Sequence, residues 1–191
     1  MDVFVARQPI LDSARKLCGY ELLFRSSLDN VFLSVDGDKA TAELVNHSFV
    51  LIGKSRLTGK LRGWINFSAA MVCKQVPTLL PADDIVVELL LDGAVSPEVQ
   101  AACHRLVQAG YRLALDDYDG TQDVGDLLEV ASYVKVDIQA VHATDVLRIV
   151  EQVRDRSVEI VAKRVESEAE HQQCKEAGCT LFQGYFFARP Q

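Results

Sequence analysis

From Trp64 onward the chain repeats one pattern: a short apolar run, a turn, then a stretch with apolar residues at three- and four-residue steps. The apolar runs are Trp64-Ile65-Asn66-Phe67, Ile85 to Leu89, Leu113-Ala114-Leu115, Tyr133 to Ile138, Glu159 to Ala162 and Thr180 to Gln183. Helix signals lie between them. Ser96-Pro97-Glu98 supplies an N-cap, a first-turn proline and a first-turn carboxylate, which together open a helix. Thr144 is placed to cap a helix bearing Val146, Ile149, Val150 and Val153, and Ser167 with Glu170 reads as a capping box for a helix stopping at Gly178. Ala69–Lys74 and 125–130 predict shorter helices. Strand–helix units joined by short links specify a parallel sheet.

Before this repeat, Val3–Ile10 and Leu17–Phe24 flank the polar turn Leu11-Asp12-Ser13 and read as a strand pair of hairpin type. Ser26–Gly37 is polar, and a helical pattern runs from Asp38 to Gly53. A (β/α)8 barrel takes about 250 residues and at least about 200, so a chain of 191 residues predicts an α/β fold of trimmed TIM-like barrel type, as one domain over 1–191. No Gly-x-Gly-x-x-Gly follows a strand, which argues against a dinucleotide fold. Gly53-Lys54-Ser55 ends like a P-loop but lacks its leading glycine.

Charge and composition mainly exclude. The net charge of −7, with no dense Lys/Arg run, opposes duplex nucleic acid as a partner. No apolar run is long enough to cross a bilayer, and the N-terminus lacks a signal-peptide pattern; the expectation is a cytoplasmic protein. The five cysteines and four histidines are scattered without zinc-ligand spacing.

Polar residues recur in or just after the strand-like runs: Glu21, Asn66, Glu88, Asp116 with Asp117, Lys135, Lys163 with Glu166, and Gln183. In a barrel the C-terminal strand ends converge on one mouth, where active sites are built. The adjacent Asp116 and Asp117 are costly there without a cation. A divalent metal is one solution and a Lys or Arg partner is the other. Oxygen ligands of this kind suit Mg²⁺, Mn²⁺ or Ca²⁺, and metal-activated water attacking a phosphoryl centre is chemistry they support.

Gly19-Tyr20-Glu21-Leu22-Leu23-Phe24-Arg25 resembles the signature segment of EAL domains, the cyclic di-GMP phosphodiesterases. The resemblance continues through Ile65-Asn66-Phe67, Val87-Glu88-Leu89, Asp116-Asp117, Val134-Lys135-Val136-Asp137, Arg164-Val165-Glu166 and Gln183-Gly184-Tyr185. It implies metal ligation by Glu21, Asn66, Glu88, Asp116 and Asp117, catalytic roles for Lys135 and Glu166, and ligand contacts from Arg25 and Gln183. The opening Phe4–Ile10 with Tyr20–Arg25 is similar to the divergent branch in which this domain precedes an HDOD domain.

Three departures from the family pattern bear on activity. Leu22 stands where the signature has alanine. The loop after the aspartates reads Tyr118-Asp119-Gly120-Thr121-Gln122-Asp123 instead of a phenylalanine-glycine-threonine-glycine run. Lys163 stands where active members have a glutamate. That last exchange moves local charge by about two units, and at about 4 Å with an effective dielectric near 20 each unit is worth roughly 4 kcal/mol. The expectation is that Lys163, with Lys135, neutralises Asp116 and Asp117; the alternative is a Lys163 turned outward. Mg²⁺ or Mn²⁺ is then expected at one site at most and not held tightly.

The function expected is an inactive EAL-like regulatory module with a protein partner. The alternatives are a cyclic di-GMP receptor without hydrolysis and a weak metal-dependent phosphodiesterase. The resemblance also allows a dimer through the helix beside the 118–123 loop.

Overall fold

A computed structural model describes residues 4–25 and 53–191, with side chains for 5–23 and 53–191. Eight strands close into a barrel in chain order: β1 (Phe4–Asp12), β2 (Leu17–Arg25), β3 (Arg62–Phe67), β4 (Ile85–Leu90), β5 (Arg112–Asp116), β6 (Tyr133–Asp137), β7 (Glu159–Lys163) and β8 (Leu181–Phe182). β1 runs antiparallel to both β2 and β8. All other neighbours are parallel. The TIM-like barrel and its N-terminal strand pair are thus as the sequence predicts.

The two-residue period of a strand explains how the lumen is filled. Ile10, Trp64, Val86, Ala114, Tyr133, Val161 and Leu181 form one buried cluster drawn from seven strands and no helix. The Trp64 and Tyr133 rings lie 4.4 Å apart. Two residues further along the parallel strands come Asn66, Glu88, Asp116, Lys135, Lys163 and Gln183. On the antiparallel β1 the equivalent step runs backwards, from Ile10 to Gln8. An apolar floor therefore fixes a polar ring above it.

The outward faces of the strands meet the helices in a second, larger apolar cluster that includes Ile65, Leu89, Leu115, Val134 and Ala162. The helices are α1 (Lys54–Leu57), α2 (Ala69–Cys73), α3 (Pro97–Gln108), α4 (Leu127–Val130), α5 (Ala143–Val153) and α6 (Glu168–Ala177). Ser68, Ser96 and Ser167 accept cap hydrogen bonds at the starts of α2, α3 and α6, each worth about 1 kcal/mol.

Two local expectations are corrected. α5 starts one residue before Thr144, because His142 takes the N-cap and Asp145 closes a capping box with its N–H. The Lys54–Arg62 link contains a helical turn, α1, whose Leu57 is buried and whose carbonyl accepts from Arg7 Nη1 at 2.9 Å. The Ser26–Gly37 stretch and the helix expected from Asp38 lie outside the described residues.

Candidate functional site at the barrel mouth

The polar ring organises around two ammonium groups. β6 carries Lys135 inward with its side chain fully buried, 3.0 Å from Glu21 Oε2 and 2.5 Å from Glu88 Oε1. Asp116 Oδ1 lies further off, at 3.8 Å. Three strands (β2, β4 and β5) thus present carboxylates to one amine from a fourth. Glu21 is held in place by two side-chain amides: Asn66 Nδ2 donates to Oε1 at 3.0 Å and Gln183 Nε2 to Oε2 at 2.6 Å. Gln183 Nε2 also reaches Gln8 Oε1 at 3.0 Å.

Lys163, at the end of β7, takes the other pair. Its Nζ stands 2.9 Å from Asp116 Oδ1 and 2.5 Å from Asp117 Oδ1. The strand exits on both sides turn left-handed: Asp117 has φ 58° and Arg164 has φ 61°. Non-glycine residues rarely adopt that conformation, and it concentrates at ligand-facing sites. At β5 the turn is supported by the Asp117 N–H donating to Asp116 Oδ1 at 3.0 Å. At β7, Arg164 pairs with Asp137 at 3.0 Å.

Gln183 is positioned by backbone contact. Val165 N–H donates to the Gln183 carbonyl at 3.0 Å, and a Cβ on Gly184 would lie 2.0 Å from the Val165 carbonyl oxygen. Only glycine permits the two chains to approach this closely.

Burial and charge oppose each other throughout. Burial pushes the Asp116 carboxyl up, but the ammoniums of Lys135 and Lys163 overcome it and hold the group below its ordinary range. For Glu21 burial is likewise outweighed, by Lys135 against the opposing Asp116 charge and by the Gln183 hydrogen bond. Glu88 goes the other way: burial, with Glu21 and Asp116 nearby, raises it well above the usual value despite Lys135. Burial alone would depress Lys135 and Lys163, yet the surrounding carboxylates raise both.

The donors are the oxygen type that suits Mg²⁺ or Mn²⁺, and the buried Glu88 Oε2 has no hydrogen-bond partner among the described residues. The arrangement nevertheless does not fit a metal pair. One ammonium already fills the space between Glu21 and Glu88, and another that between Asp116 and Asp117. Asn66 presents its N–H₂ to Glu21. Among the described residues no three His, Cys, Asp or Glu side chains stand where they could jointly hold a metal ion.

The structure thus brings Glu21, Asn66, Glu88, Asp116, Asp117, Lys135, Lys163 and Gln183 together. Lys135 spends its closest contacts on Glu21 and Glu88, so Lys163 is the nearer neutraliser of the two aspartates. Glu166 is exposed and takes no part in these ion pairs; it lines a cavity that opens onto Glu21, Lys163 and Gln183 of the cluster and is completed by Gln8, Arg164 and Tyr185. The Arg25 side chain lies outside the described residues. Sequence reasoning missed Gln8 and Arg164. The strand-pair register, in which Gln8 faces Glu21, was the signal for Gln8; nothing in the sequence marks the left-handed turn at Arg164.

The 118–123 loop is tied to its surroundings. Tyr118 is buried and its hydroxyl donates to Gln152 of α5 at 3.1 Å, while Gln122 Nε2 donates to the Asp117 carbonyl at 2.8 Å.

A closed barrel with one antiparallel strand and acidic residues at its mouth is the class of protein defined so far. The EAL domain family matches residues 53–190, and the chain belongs to that family. The signature-like segment Gly19–Arg25 precedes the matched span. Uncharacterized protein YuxH of Bacillus subtilis is 37% identical over 196 residues, covering 100% of this chain and 48% of YuxH. Cyclic di-GMP phosphodiesterase CdgJ of Vibrio cholerae is 38% identical over 194 residues, covering 98% of this chain and 44% of CdgJ. The chain therefore spans about half the length of these relatives or less. Its fold is that of the PaMucR phosphodiesterase solved as a c-di-GMP complex (TM-score 0.80, 20% identity, 100% of this chain and 97% of that one). It is also that of Klebsiella pneumoniae BlrP1 solved with calcium and c-di-GMP (TM-score 0.79, 22% identity, 100% and 56%). No helix among the described residues is long and apolar enough to cross a membrane.

Proposed function

We propose that residues 1–191 form one degenerate, catalytically inactive EAL domain that acts by binding, as a regulatory module in cyclic di-GMP signalling with a protein partner. The observation that carries this is the seat of Lys163, 2.9 Å and 2.5 Å from the two aspartates. A cation fixed there repels a dication. The substitution also replaces a carboxylate that could orient or deprotonate water. Mg²⁺ or Mn²⁺ then binds at one site at most, and weakly, because an ion among Glu21, Asn66, Glu88, Asp116 and Asp117 must displace an ammonium. The test is incubation of the protein with cyclic di-GMP and Mn²⁺. The expected outcome is no linear product, and linear product at a rate proportional to enzyme would overturn the reading.

A second reading, a cyclic di-GMP receptor without hydrolysis, has its own support. The cavity of about 380 Å³ beside the mouth is lined by Lys163 and Arg164 together with Gln8, Gln183 and Tyr185. Two cations, two amides and an aromatic ring offer phosphate and base contacts there, set against the carboxylates of Glu21 and Glu166 in the same lining. Calorimetry with cyclic di-GMP separates the readings, because micromolar binding without turnover favours the receptor.

A further inference from the structure

Helix α6 ends in a Schellman turn. Gly178 is left-handed at φ 111°, Cys179 N–H donates to the Cys174 carbonyl at 2.9 Å, and Gly178 N–H to the Lys175 carbonyl at 3.1 Å. This pair of bonds brings together the side chains at the first and last positions of the turn, where an apolar contact usually sits. Here both positions are cysteines, both free and buried. A valine or leucine pair would serve the turn equally well; what two sulfurs add is chemistry. Cys174 also lines an apolar cavity of about 370 Å³ between α5 and α6, with Ile138, Val146 and Leu147 among its walls. That volume readily admits a small oxidant such as a peroxide, and Cys174 is the member of the pair that lines it.

We propose that Cys174 and Cys179 form a peroxide-reactive dithiol, a modification site at which a small two-electron oxidant converts the pair into a disulfide. The Cys174 thiolate attacks one peroxide oxygen; the O–O bond breaks, and hydroxide leaves and takes up a proton to become water. Cys174 is then a sulfenic acid. The Cys179 sulfur attacks that sulfur, an S–S bond forms, the S–O bond breaks, and the departing hydroxyl leaves as a second water with the Cys179 proton. Two thiols are oxidised by two electrons and one peroxide is reduced to two waters.

The roles follow from the environment. Cys174 lines the cavity through which an oxidant arrives, and Cys179 stands behind it at the other end of the turn, so Cys174 is the attacking sulfur and Cys179 the resolving one. The other candidate sulfurs are less prepared. Cys18 is exposed, but burial of its sulfur and the carboxylates of Asp12 and Glu159 raise it, and burial pushes Cys103 up to about 12. Cys103 has Cys73 nearby, but burial raises that thiol as well.

Peptide mapping of the whole chain tests this directly. The protein is treated with hydrogen peroxide, remaining thiols are alkylated, and trypsin is added without reductant. Trypsin cuts after Lys175, between the two cysteines, so a disulfide joins the peptide ending there to the one starting at Glu176. The expected result is that linked pair, two hydrogens lighter than the sum of its parts, at about tenfold excess over oxidised Cys18 at early times. A Cys18→Ser chain is expected to give the same linked pair. Cys174 and Cys179 both remaining alkylatable while Cys18 is consumed overturns the proposal, as does loss of the linked pair in Cys18→Ser.

Discussion

Lys135 and Lys163 are both ammoniums set among carboxylates at one barrel mouth, yet they live in different solvents. Lys135 and its partner Glu88 have no exposed side-chain surface. Lys163 is 16% exposed and its partner Asp117 is 41% exposed. Charge pairs of the same kind therefore carry different consequences. Removing one member of a fully buried pair leaves an uncompensated charge in a poor dielectric, whereas water and salt can replace a lost partner at the rim. The inner lysine is bound up with folding, and the outer one is free to be selected for what the mouth binds.

The sharpest way to break this comparison is Lys135→Met. It strands Glu21 and Glu88 beside Asp116, and the expected loss of stability at neutral pH is about 3–5 kcal/mol, read from the urea midpoint. Burial already raises Glu88 well above its ordinary value, so part of that loss should be recovered as the medium is acidified and the stranded carboxylates take up protons. A loss at the outer-lysine level would show that the buried carboxylates take up protons as readily as the exposed ones, and the distinction would collapse.

Next in size is Lys163→Glu, which converts the rim from one cation and two carboxylates into three carboxylates. Calorimetric titration with Mn²⁺ is expected to show affinity higher than in the parent chain by about a hundredfold, or about 2.7 kcal/mol. Parent and variant binding Mn²⁺ equally would mean that Lys163 swings clear of the aspartates and does not decide metal occupancy. Linear product from the variant alone would add that the remaining ring is still competent.

Lys163→Met should have a smaller effect, about 1 kcal/mol at neutral pH, because Asp116 keeps Lys135 and Asp117 reaches water. Its clearest signature is in acid. Asp116 is held below its unfolded value near 3.9, so it contributes stability above that pH and loses it as pH falls through the folded pKa. With one of its two cations gone, the folded pKa rises and the window narrows. The acid-unfolding midpoint of Lys163→Met should therefore lie above that of the parent.

The inner and outer halves of the mouth were not equally legible in the sequence. Alternating strand and helix signals, with Ser96-Pro97 and Ser167-x-x-Glu170 as start marks, carried the barrel, because local periodicity and capping are local physics. The polar residues at the strand ends were visible for the same reason. What sequence could not supply was register. Tyr133 and Lys135 lie two apart on β6, and only barrel closure places the first on the floor and the second against Glu21 and Glu88 from distant strands. Hence the sequence links Lys135 to the aspartates, and the amine does stand 3.8 Å from Asp116. Its closer pairing with Glu21 and Glu88 leaves no sign in the sequence, nor does Gln8, on a strand running the opposite way. Glu166 illustrates the converse: it follows β7 closely in sequence, but the left-handed turn at Arg164 carries it outward.

Salt supplies the mildest test. Raising ionic strength from about 0.1 M to 1 M shortens the Debye length from about 10 Å to about 3 Å. Exposed charges feel that change, and buried ones largely do not. A double-mutant cycle between Lys163 and Asp117 should therefore give a coupling of a few tenths of a kcal/mol that shrinks with salt. The corresponding cycle between Lys135 and Glu88 should give a larger coupling that stays nearly constant, since no counterion reaches a pair with no exposed side-chain surface. Equal salt sensitivity in the two cycles would mean that water reaches Lys135 as freely as Lys163, and that the mouth is one electrostatic environment instead of two.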